Sequence, residues 1–132
     1  MSIDGRISID AIFHDTDGTA SVSVVALNES QEFSSGVVAV MTRTASGVQQ
    51  SLPVSPTTYR NAAGNLVELV NLSHVVLKSN SGTVVYADLV NSVVVPPGKT
   101  ASFATDFSFT GDDISIYADG GTASYTIILY GE

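Results

Sequence analysis

The chain has no cysteine, no tryptophan, two histidines and only five lysines and arginines. Without cysteine it has no disulfide, no thiolate nucleophile and no thiolate metal ligand. Without tryptophan, an aromatic platform for a sugar would have to come from tyrosine. The five bases, Arg6, Arg43, Arg60, Lys78 and Lys99, are scattered singly, against 13 acids and a net charge of −8. Nucleic-acid binding needs clustered cations to neutralise phosphates, so no nucleic-acid partner is expected. No apolar run approaches the about 18 residues of a membrane helix, so no membrane partner is expected. The first residues, Met1 to Arg6, lack the basic and apolar regions of a signal peptide, and synthesis in a cytoplasm without export is the expectation. Helix formers are scarce too, with four Glu and two Lys in the whole chain.

What the chain does contain is strand chemistry. There are 18 Val, 8 Ile and 12 Thr among 132 residues, and β-branched side chains favour an extended backbone. A 44% hydrophobic composition excludes a disordered chain. The length suits one domain, residues 1–132, that buries roughly two-thirds of its unfolded surface. The organising stretch runs from Val90 to Phe109. Val93, Val94 and Val95 read as a strand buried on both faces or leaving the core at a bulge. Pro97-Gly98 fits the centre of a type II turn, with Pro presetting φ and Gly accepting φ > 0. Ala101, Phe103, Thr105, Phe107 and Phe109 then share one parity of an alternating strand. This stretch is expected to form a hairpin.

The same grammar repeats along the chain. Ile3 to Phe13, Thr19 to Leu27, Val37 to Thr44 and Val48 to Leu52 read as strands, with a polar loop at Asn28 to Gly36. Pro53 to Asn65 is a long irregular segment, of the kind that tends to carry function or cover a core. Leu66 to Leu72, Val75 to Ser79, Thr83 to Val90, Ile114 to Ala118 and Thr122 to Tyr130 complete the set. Asn80-Ser-Gly82 and Asp119-Gly-Gly121 read as hairpin turns between them. Turn signals arrive about every 8 to 12 residues, the signature of a sandwich or barrel. The expected fold is all-β: an antiparallel β-sandwich, jelly-roll or immunoglobulin-like, of about eight to ten strands with little helix. Val24, Val85, Phe103 and Ile127 are expected to be buried together in its core.

Motifs for chemistry are sparse. Asp15, Asp17 and Gly18 begin like a calcium loop, but the further oxygens and distal Glu of an EF-hand do not follow. Asp112, Asp113 and Asp119 form a second acidic group on turns, and both groups read as turn caps with no metal expected. His14 and His74 lie too far apart in sequence for a recognisable zinc spacing. Nucleophile elbow, P-loop and dinucleotide fingerprint are all missing, so neither catalytic residues nor a cofactor are assigned and no enzymatic activity is expected. Apolar residues occupy both parities of several strands. Tyr86, Ile128 and Tyr130 are therefore candidate interface residues, with Ile128 and Tyr130 forming an apolar strip on the outer side of the last strand. Tyr125 shares parity with Ala123, Ile127 and Leu129 and reads as core.

Two stretches, Ile3-Asp-Gly-Arg-Ile-Ser-Ile-Asp-Ala-Ile-Phe-His-Asp-Thr-Asp-Gly-Thr and Thr57-Thr-Tyr-Arg-Asn-Ala-Ala-Gly-Asn-Leu, resemble small all-β virion structural proteins of tailed bacteriophages. The shared traits are those of a short, cysteine-free, acidic chain rich in Val, Thr and Ser. The resemblance implies a capsid decoration or cement subunit made in the host cytoplasm and carried in the virion. The implied partners are other copies of itself and a major capsid or other virion protein. A neck or tail component fits the same resemblance. A carbohydrate-binding, lectin-like module is the alternative from a different class.

Overall fold

The computed structural model describes residues 3–13, 25–52, 69–108 and 114–131. The chain clusters into two compact units, Ser2–Ser35 and Gly36–Glu132. Seven strands are present among the described residues: β1 (Ile3–Phe13), β2 (Val25–Ala45), β3 (Gln50–Leu52), β4 (Asn71–Ala87), β5 (Ser92–Val95), β6 (Thr100–Ser108) and β7 (Ile114–Gly131). The pairings of β7 with β2, β3 and β4, and of β4 with β5 and β6, are all antiparallel. No helix occurs among the described residues. The all-β, antiparallel expectation holds, and the pairing is compatible with a sandwich.

In the smaller unit, β1 is hydrogen-bonded to β2. Its alternation shows in exposed Arg6, half-buried Ile7 and exposed Ser8. β2 is continuous from Val25 to Ala45, so the segment Asn28 to Gly36, read as a loop, is extended. Its small polar residues lower the apparent strand propensity. The turn at Asp17-Gly18 and the long segment Pro53 to Asn65 lie outside the described residues, as does Val24.

The larger unit is built on two long strands. β4 and β7 pair along their whole length, from Leu72 opposite Gly131 to Ala87 opposite Ser115. The register slips between Ser79 and Thr83, where Ser81 faces Ser124 and Thr83 faces Asp119. The two segments read as hairpin turns thus lie across from one another in one ribbon. Neither folds its strand back on itself, so Val75–Ser79 and Thr83–Ala87 are halves of one strand, as are Ile114–Ala118 and Thr122–Tyr130. That merging is why fewer and longer strands appear than the turn spacing suggests. Extra residues at the slip also reset the pleat. Val75, Leu77 and Ser79 are buried before it, and Val84 and Tyr86 after it. On β7, Ile114, Ile116 and Ala118 give way to Ala123, Tyr125, Ile127 and Leu129.

Each half of the ribbon takes its own neighbours. β2 and β6 flank the half built from Ala123–Gly131 and Asn71–Lys78. β3 and β5 flank the other half. One hydrophobic core draws on both blocks, including Leu72, Leu77, Val84, Tyr86, Ile116 and Ile127. Across it the Tyr86 and Phe103 rings meet edge-on, with centroids 5.1 Å apart. Full burial of each such aliphatic side chain contributes about 1.5–3 kcal/mol.

The Pro96–Lys99 turn forms as expected. Lys99 N–H donates to Pro96 O at 3.1 Å and Gly98 has φ +73°, which is type II geometry. The expected hairpin around it does not form. β5 pairs with the second half of β4 and β6 with the first half, so the turn carries the chain from one block to the other. It straddles buried Ser79, whose N–H donates to Lys99 O at 3.0 Å while its carbonyl accepts Gly98 N–H at 3.1 Å. The hairpin partner of β5 is β4, through a turn at Asp88–Asn91 closed by Asp88 N–H to Asn91 O at 2.8 Å. Of the three valines, Val95 is core, Val93 packs on it and Val94 is exposed, so this strand is covered on one face only. Val85, expected in the core with Phe103 and Ile127, points outward and is half-buried.

Two glycines test the bend against the turn. Both have positive φ, but a Cβ on Gly98 meets nothing within 4 Å, whereas one on Gly82 would lie 2.5 Å from the Thr122 carbonyl oxygen. Gly98→Ala should cost about 1–2 kcal/mol, the left-handed penalty alone. Gly82→Ala should cost clearly more, because backbone must shift in the ribbon. Urea unfolding of the two variants checks the order, and equal losses would mean the bend is loosely packed.

Candidate functional site

The outer surface of the β2–β7–β4–β6 block is set by register. Its odd positions on β2 and β7 point into the core, with Ala39, Ile127 and Leu129 fully buried. The even positions therefore face out. Val38, Tyr130 and His74 lie in one row ending at Ala104 on β6. Val40, Ile128 and Val76 form the next, ending at Ser102. Thr42, Thr126 and Lys78 form a third, ending at Thr100. Val38, Val40, Val76, Ile128 and Tyr130 are each half-buried. Ile128 and Tyr130 are thus brought together as expected, but β7 is an inner strand here, and the strip extends onto both neighbours. These three rows hold no carboxylate; Asp106, exposed, follows Ala104 by one outward position on β6.

Tyr86, the third candidate, is placed elsewhere. It is fully buried, and its hydroxyl donates to Asp88 Oδ2 at 2.6 Å. It is a core residue, because the slip at Ser79–Thr83 turned the even parity of β4 inward. Its outward neighbours are Val85 and Ala87.

Asp88 organises a second surface. Its Oδ1 accepts Val90 N–H at 2.7 Å and Asn91 N–H at 2.6 Å. Its Oδ2 also accepts the Thr105 hydroxyl of β6 at 3.3 Å. Asn91 Nδ2 donates to Ala104 O at 3.2 Å. One carboxylate thus closes the β4–β5 turn and ties it to the other block. The turn holds Leu89 and Val90 at its tip, 64% and 60% exposed, with Val94 of the same hairpin at 60%. Val94 also shares an outward row with Val85 and Tyr117. Leu89 and Val90 have the chemistry of strand residues, which is why a strand is expected through Val90. The flanking Asp88 and Asn91 are the turn signal that such a reading overlooks.

His74 sits at the bulge between Leu72 and His74, 5% exposed. Its Nε2 is 2.9 Å from the Ser102 hydroxyl, joining β4 to β6. Burial holds its imidazole below the usual 6.5. Tyr125 is core, as expected, at 4% exposure; burial raises its phenol above 10.0, while Arg43 beside it pulls the other way. Of the acidic groups, Asp119 is exposed at the bend, while Asp15, Asp17, Asp112 and Asp113 lie outside the described residues, as does His14.

No family model matches the chain, and no curated protein matches it. One solved structure, a chain from Bacillus endospore appendages described as a novel family of disulfide-linked pili, is similar at TM-score 0.46 and 17% identity. The match covers 72% of this chain and 84% of that one. These 132 residues contain no cysteine, so the linkage named there has no counterpart in them.

Two measurements follow from this geometry. Asp88→Ala should lower stability by about 2–4 kcal/mol, since hydrogen bonds to a charged group contribute about 1.5–3 kcal/mol and several donors lose their partner together; Asp88→Asn should cost less in the same denaturation assay. For His74, the folded pKa lies below the unfolded one, so the unfolded chain binds more protons as pH falls through 6.5. Its contribution is complete above 6.5 and is lost as pH falls toward the folded value. The melting temperature should therefore drop between about pH 7.5 and about pH 5.5, roughly one unit either side of the free imidazole, and His74→Gln should flatten part of that drop.

Proposed function

We propose that this chain is a non-enzymatic structural subunit that acts through protein–protein contacts. The observation that supports it is the exposed apolar group Leu89, Val90 and Val94, beside half-buried Val38, Val40, Val76, Ile128 and Tyr130 on the outward side of the other block. A sheet in free solution needs one apolar face, and side chains of this kind outside the core suit a partner. On the resemblance carried by Ile3–Thr19 and Thr57–Leu66, the assembly is a bacteriophage particle. The role is a capsid decoration or cement subunit bound to other copies of itself and to a major capsid protein, in the virion. A neck or tail position is the neighbouring reading, and the pilus chain bears on neither. The lectin-like alternative draws less support, because Tyr86 and Tyr125 are spent in the core.

Mass spectrometry of purified particles should find the chain at a fixed ratio to the shell protein. Ile128→Ser with Tyr130→Ser should leave far-UV circular dichroism unchanged and remove the chain from particles. A chain absent from particles, or one that binds a glycan array at micromolar concentration (on the order of 1 μM, a common affinity range), would overturn the reading.

A further inference from the structure

We draw no further inference here: the strongest candidate, the exposed apolar tip of the β4–β5 turn formed by Leu89 and Val90 with Val94 beside it, carries none, because nothing in the structure shows what covers it.

Discussion

Ser79 is the point on which the larger unit turns. Its N–H and carbonyl are both taken by the Pro96–Lys99 turn, and its hydroxyl donates to the Gly82 carbonyl. It is fully buried, so each of these groups would be costly to leave unmatched. A strand that bends must give up ladder bonds, and at this bend other groups replace them. The bend lets β4 serve two blocks, pairing β6 before it and β5 after it. β7 follows because its own glycine-containing segment lies opposite. Strands that pass between packed sheets through bulges are a general way to make corners.

A second polar centre holds the far end together. Asp88 is half-buried, but four donors converge on it from β4, the turn and β6. The Tyr86 hydroxyl gains its partner there, which lets the largest fully buried side chain among the described residues enter the core without an unsatisfied group. The same carboxylate fixes the turn and so fixes the apolar tip. Core order and surface display therefore depend on one residue. The link explains how a small domain can present Leu89 and Val90 outward without the turn collapsing onto the core.

Acidity and surface composition fit together in the same way. The three outward rows hold no carboxylate, and Thr42, Thr126, Thr100 and Lys78 border the apolar ones. Thr42 and Thr126 hydroxyls lie 3.1 Å apart, and Asn80 donates to Thr126 at 3.0 Å. The face is thus a sheet surface whose polar groups bond one another along one side. Such a surface can be covered by protein with little desolvation cost.

Much of this was legible in residues taken one at a time. The excess of Val, Ile and Thr determined strands. Pro97 and Gly98 determined a type II turn, because no other local conformation suits both. The alternation from Ala123 to Leu129 placed Tyr125, Ile127 and Leu129 inside, and left Ile128 and Tyr130 out. Partnership was not legible. Asn80–Gly82 and Asp119–Gly121 have hairpin chemistry, yet they bend two strands of one ribbon, because register with a distant strand decides what a local turn becomes. The parity of Tyr86 followed the same rule: one slip in pairing reverses every side chain beyond it. The sequence by itself determined which segments extend and where they can turn. Only the tertiary structure decided which strands meet and which face of each is inside, since ladder hydrogen bonds look alike from any one strand and the shared core selects among them.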